Sequence, residues 1–432
     1  MYKLFLPLTL VASVFLPAAA QTLDLPRSGD AVQALPDRSA KVLEPSGALT
    51  LQSALALALN VNADLSAARY ELSAVEASVT QASVLPNPSL GVQMRDKRRE
   101  TRETTVQLSQ PLELGSKRAA RIQAAERGRD VAGADLNAKQ AEVRSMVISA
   151  FFDVLTAQER MRLAQESAEL AQRATTVASK RVIAGKVSPV EETRARVAET
   201  GVRLELLQAK SDLASARKRL SATWGSVMPR FDRAEGQLRD LPALPDLAVL
   251  SGRLDSAPTL ARARFEVDRR QALARLERSR RTPDVTVSLG VNRNEELGRN
   301  QAIVGFSIPL PIFDTNRGNV LEAQRRTEKA RDELLAIETR LGGELAQAFE
   351  RFSTSRQEAD ALQNEVLPGA QSVYKAATTG FEYGKFGFLD VLDAQRTLLQ
   401  AKSQYLRALS EAHRARAEID RILGEPTATT NQ

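Results

Sequence analysis

Across 432 residues, 60 Lys and Arg stand against 53 Asp and Glu for a net charge of +7, yet the basic residues are scattered among acids in helical tracts, so no nucleic-acid partner is indicated. With no cysteine and one histidine there is no disulfide frame, no thiol nucleophile and no cluster with metal-ligand spacing; no catalytic residue, metal or cofactor is expected. Aromatic residues are only 4%, and Ala, Leu, Gln, Glu and Arg fill long tracts, which favours long helices.

Residues 1–20 hold an apolar run from Leu4 to Leu16 and then Pro17-Ala18-Ala19-Ala20, the pattern of a secretory signal peptide cleaved after Ala20. The mature chain is expected to be exported. No cysteine follows the cleavage site to take a lipid anchor, and no later apolar run reaches the roughly 18 residues of a transmembrane helix. Residues 21–48, with Pro26, Pro36, Pro45, Gly29 and Gly47, read as an extended lead-in. A helical pattern from Thr50 to about Val84 is stopped by Pro86-Asn87-Pro88.

Two segments of strict alternation follow. Leu90, Val92 and Met94 alternate with Gly91, Gln93 and Arg95, and Val106, Leu108 and Leu112 alternate with Thr105, Gln107 and Ser109; the charged tract Asp96 to Glu103 between them belongs in water. A second pair comprises Val285, Val287, Leu289 and Val291, then Val304, Phe306, Ile308 and Leu310 beyond Asn294 to Asn300. A soluble sheet shows the same alternation. Export, and a length near the roughly 9 to 11 residues of a tilted membrane strand, favour a barrel wall with its apolar face to lipid and its small or polar face to a lumen.

After each strand pair a heptad seam predicts a long helix. Val143, Val147, Ala150, Val154, Ala157 and Met161, continuing to Val182, recur at steps of four and three, as do Leu341, Leu345, Ala348, Phe352, Ser355, Ala359, Leu362 and Val366. If continuous from Ser116 to Ala184, the first helix spans about 100 Å at about 1.5 Å per residue. Pro368-Gly369 interrupts only the second, as a kink that serves motion or as a static bend. Gly185-Lys186-Val187-Ser188-Pro189 turns the first helix into a returning one, with Gly as stop, Ser as cap and Pro at the first helical position. Gly384-Lys385-Phe386-Gly387 does so in the second, and the returning helices end at Trp224-Gly225 and Leu423-Gly424. His413, within the stretch from Glu411 to Arg421, is expected at the surface without a role.

These elements form one unit written twice. Pro111 answers Pro309, Gly185 answers Gly384 and Gly225 answers Gly424, which divides the chain into a first repeat over 49–228, a connector over 229–248, a second repeat over 249–424 and a tail over 425–432. Four membrane strands cannot close alone, because an unpaired strand edge in hydrocarbon is prohibitively costly and the smallest barrels have about eight strands. Several chains must therefore close one barrel, with the helical hairpins continuing it as a tube.

From Thr50 to Gly424 the residues resemble the TolC-like outer-membrane efflux factors. The resemblance rests on Gly384-Lys385-Phe386-Gly387-Phe388-Leu389-Asp390-Val391-Leu392-Asp393-Ala394-Gln395, on Leu85-Pro86-Asn87-Pro88, and on Pro309-Leu310-Pro311-Ile312-Phe313-Asp314-Thr315-Asn316-Arg317-Gly318-Asn319, which is most similar to the CzcC heavy-metal efflux branch. It implies a homotrimer in the bacterial outer membrane, with twelve strands in one β-barrel and twelve helices in a periplasmic α-barrel of coiled-coil hairpins. It also implies a passive duct for an inner-membrane RND exporter and a periplasmic adaptor, carrying heavy-metal cations or else drugs or proteins. By the same resemblance, Arg181, Gly185, Lys186, Ser188, Gly384 and Lys385 at the hairpin tips meet the adaptor, and Asp390 and Asp393 ring the pore gate. Some relatives lock the tunnel with an arginine near Phe386, where this chain offers Lys385 or Tyr383. Three other readings remain. Asp390 merely caps its helix, the chain is a periplasmic structural coiled-coil protein, or Asp390 and Asp393 perform carboxylate chemistry.

Overall fold

The computed structural model describes residues 44–241 and 243–424; the signal peptide, most of the lead-in and the tail lie outside the described residues. Strand β1 (Ala48–Thr50) opens into helix α1 (Leu51–Val61), capped by the Thr50 hydroxyl, which accepts from Ser53 N at 3.2 Å. The helix expected over Thr50 to Val84 is in fact two. Asn62 takes an extended ψ of 126°, ends α1 and caps α2 (Ala63–Ser83) by accepting from Leu65 N at 3.0 Å, while its amide donates to Thr223 O at 2.8 Å. A short polar side chain that satisfies orphan backbone donors competes well with a continuous helix.

Strands β2 (Ser89–Arg95) and β3 (Glu103–Leu112) lead to helix α3 (Lys117–Ile183), whose 67 residues run unbroken for about 100 Å. Helix α4 (Pro189–Ala222) returns along it. The connector contributes strand β4 (Arg233–Glu235), parallel to β1, and helix α5 (Leu247–Gly252) leads from it into the second repeat. Helix α6 (Pro258–Ser279), strands β5 (Val285–Asn294) and β6 (Arg299–Ser307), and helix α7 (Arg317–Ala361) follow. The second hairpin is completed by α8 (Leu367–Glu382) and α9 (Phe388–Leu423).

Four strands form one antiparallel sheet in the order β2-β3-β5-β6, so the two strand pairs are joined through β3 and β5 and, among the described residues, the sheet is open at both edges. Register places Leu90 beside Leu108, Leu108 beside Leu289 and Leu289 beside Val304, an unbroken apolar row; the adjoining face carries rows such as Ser89, Ser109, Ser288 and Gly305. The apolar face is the exposed one, with Leu90 at 70% and Phe306 at 71%, whereas Ser288 is buried. That inverts a soluble sheet, which turns its apolar face inward. At Gly290 the strands approach so closely that a Cβ would sit 2.7 Å from Val106 O. Strand β6 stops at Ser307, short of the expected Leu310, because Pro309 and Pro311 have no N–H to extend a ladder.

The main core lies where α1, α3, α4 and β4 meet the end of α7 and the middle of α9, around Leu49, Phe151, Leu220, Trp224 and Leu409. A second core joins α5, α6, α7 and α9 around Leu250, Leu345, Phe352 and Ile419. Burying each large side chain contributes roughly 1.5–3 kcal/mol. The seam of α3 is buried or half-buried throughout. That of α7 holds through Leu362 and then fails, leaving Val366 44% exposed. Residues Leu362–Val366 form a π-turn in which Leu367 N bonds Leu362 O, and the extra residue moves the seam to Leu367, Ala370, Tyr374, Ala377 and Phe381. Pro368 supplies the cause: it has no N–H, and its ring would crowd the Asn364 carbonyl of a regular helix.

Candidate functional site

The candidate site is the pair of hairpin tips. At the first, Gly185 adopts a left-handed φ of 68°, Gly185 N bonds Val182 O at 2.9 Å and Lys186 N bonds Arg181 O at 2.9 Å. This doubly bonded helix stop is open to glycine because a Cβ is disfavoured at positive φ. Ser188 then caps α4 by accepting from Val190 N at 3.3 Å, with Pro189 at the first helical position and Glu191 and Glu192 in the first turn. The second tip repeats the stop: Gly384 has φ 72°, Gly384 N bonds Phe381 O at 3.0 Å and Lys385 N bonds Gly380 O at 2.8 Å. Phe386 folds back over Gly380, where any Cβ would overlap its ring.

The two tips differ in how the returning helix starts. Gly387 occupies the cap of α9 without a side chain, and Asp390 reaches back to accept from Gly387 N at 2.8 Å. The capping geometry is thus present, with the carboxylate still exposed. Asp393 is one turn further on the same helix and also exposed. Gly185, Lys186, Ser188, Gly384, Lys385 and Tyr383 are exposed, whereas Arg181 is half-buried. Arg181 crosses to the other hairpin: its Nη2 donates to Phe381 O at 3.1 Å, and its guanidinium lies 4.0 Å from the centroid of the Phe381 ring. Ala178, Ala195, Phe381 and Leu392 form a cluster beside that bridge, so α3, α4, α8 and α9, the four helices of the two tips, meet there.

Comparison with known proteins fixes the family. The outer membrane efflux protein family matches residues 54–226 and again 249–425. The chain belongs to that family. This outer membrane efflux protein is 48% identical over 426 residues to the cobalt-zinc-cadmium resistance protein CzcC of Cupriavidus metallidurans, across 98% of this chain and 100% of the relative. Among solved structures it shares its fold with CusC, at a TM-score of 0.73 and 19% identity over 87% of this chain and 92% of that one. The open-state MtrE outer membrane channel of Neisseria gonorrhoeae gives 0.74 and 20% over 87% and 89%. Family membership replaces the structural coiled-coil and carboxylate-enzyme readings: the outer membrane efflux proteins are channels.

Two features lie outside what the sequence pattern predicts. The bridge from Arg181 to Phe381 has no signal in the spacing, since the equivalent position of the second tip is Gly380. His413 is not at the surface. It is buried, stacked 3.6 Å from the Phe152 ring, with Nε2 2.8 Å from Leu238 O; a carbonyl only accepts, so Nε2 carries a proton. Burial holds its pKa below the ordinary 6.5, against weaker opposing pulls from the Leu238 bond and Asp240. That it faces inward had a partial signal, because Leu406, Leu409 and Ala417 share its helix face, but its stacking partner Phe152 had none.

Proposed function

We propose that the chain is the outer-membrane channel of a tripartite RND-type efflux pump and conducts heavy-metal cations passively from pump and adaptor to the exterior. The observation that carries this reading is the 48% identity, over essentially the whole of both chains, to a cobalt-zinc-cadmium resistance protein. The chain acts as a homotrimer, each copy built from the repeats 49–228 and 249–424 and contributing its sheet to one barrel. The exposed apolar rows suit hydrocarbon and the Ser, Gly, Gln and Asn rows a water-filled lumen.

At the other end, Arg181, Gly185, Lys186, Ser188, Gly384 and Lys385 form the rim that meets the adaptor, and the exposed Asp390 and Asp393 face the pore. Carboxylates gathered near a three-fold axis attract cations and repel one another, so a passing divalent ion relieves the repulsion that it meets. Tyr383 and Lys385 are the candidates for a lock on this gate, and Arg181 ties the hairpins that carry it. The export energy comes from the inner-membrane partner.

The test is metal and drug susceptibility of a host strain lacking this gene and of the same strain with the gene restored. Sensitivity to zinc, cobalt or cadmium that restoration reverses supports the reading. Sensitivity to organic compounds alone would leave a duct but remove metal cations as its cargo.

A further inference from the structure

The open sheet contains the rule for its own closure. Pro86-Asn87 before β2 recurs as Pro283-Asp284 before β5, an offset of 197, and Ser109-Gln110-Pro111 in β3 recurs as Ser307-Ile308-Pro309 at the end of β6, an offset of 198. Together these offsets carry the pair Ser89 and Ser109 onto Thr286 and Ser307, which is a pair that the sheet contains. The two strand pairs are therefore equivalent in register as well as in sequence, and the seam between them, β3 against β5, is the pattern for any further seam.

We infer that β6 of one copy joins β2 of the next in the register obtained by carrying the β3 to β5 seam forward. The seam pairs Val106 with Val291, Leu108 with Leu289 and Gln110 with Val287 become Val304 with Met94, Phe306 with Val92 and Ile308 with Leu90 of the next copy. This rests on the reading of the chain as a duct and adds to it which residues meet. Two observations support the register. It sets apolar against apolar on one face throughout, which a slip of one residue would reverse. It also brings together two exposed apolar residues: Phe313, 99% exposed, follows β6, and Leu85, 62% exposed, precedes β2, so an antiparallel seam sets them at the same end.

Below the strands the two seams differ in charge. Within the chain, Asp284 accepts from Leu114 N at 3.1 Å and from Lys117 Nζ at 2.6 Å. Between copies Asn87 stands in place of Asp284 and Arg317 in place of Lys117, so a cation meets an uncharged amide and the ion pair is not repeated.

The chain has no cysteine, so paired substitutions report on this seam alone. Within one copy β2 and β6 are three strand spacings apart, about 14 Å, too far for a disulfide. Full-length Val304→Cys/Met94→Cys and Phe306→Cys/Val92→Cys proteins, oxidised with copper phenanthroline in detergent, are expected to convert the monomer band to bands of two and three chains. The slipped pair Val304→Cys/Val92→Cys is expected to remain monomeric on the denaturing gel. Native mass spectrometry of the reduced proteins reports assembly separately. Intact trimers that cross-link best through the slipped pair, or through none, would overturn the register and leave the duct standing. Absence of any oligomer from the unsubstituted chain would remove both.

Discussion

Asp390 holds two roles that chemistry can separate. Its carboxylate accepts from Gly387 N, and its charge sits at the tip of the hairpin. Asp390→Asn keeps an acceptor oxygen and loses the charge; Asp390→Ala loses both, at a cost of about 1 kcal/mol for the cap. If the charge governs the gate, both variants should weaken block by divalent cations equally in single-channel recordings, and only Ala should lower the melting temperature. Loss of block with Ala but not Asn would make Asp390 a cap alone. His413 yields a pH dependence. The folded chain favours the neutral ring, so its contribution is complete above the ordinary pKa of 6.5 and is lost as pH falls through the lower folded value. One proton bounds the slope at about 1.4 kcal/mol per pH unit. Thermal melts followed by circular dichroism are expected to show stability declining below pH 6.5, and His413→Gln, which keeps a donor for Leu238 O, to flatten that decline. Turns and caps such as Gly185, Ser188 and Gly384 were legible because their chemistry is local. The places of Arg181 and His413 were not, since each is set by a partner far away in sequence, Phe381 and Phe152.

For the elements, periodicity was legible wherever one face decided it. The strands matched their alternation and α3 its heptads, because a shift in either would expose the buried face. Besides the break at Asn62 and the early end of β6, the joint of α7 and α8 departs from the pattern. Pro368 was visible as an interruption, but its resolution as a π-turn depends on packing on both sides, which sequence spacing does not carry. Removing Asn364 together with Pro368→Ala should restore a regular helix while leaving Leu362 and Leu367 on one seam. Slower hydrogen exchange in α8 and a lower open probability are expected, and unchanged exchange would show that the turn is no weaker than its surroundings. In the sheet, Leu289→Arg on the exposed apolar face should cost about 2–4 kcal/mol of folding stability in lipid. Ser288→Arg on the other face should insert normally and lower conductance. Refolding into lipid vesicles distinguishes the two faces.

On the scale of the whole molecule, internal duplication was the most informative sequence feature, because equivalent residues then constrain one another. Pairing within one chain follows from it directly, and the open edges of a four-stranded sheet call for further copies. The most direct measurement is planar-bilayer recording of the purified full chain beside its Asp390→Ala/Asp393→Ala variant. A trimeric channel is expected in both, cation-preferring and blocked by divalent metal in the wild type, with block and preference reduced in the variant. Bilayers shown to contain either protein, yet silent to monovalent and divalent ions alike, would contradict the account of this chain as a conduit.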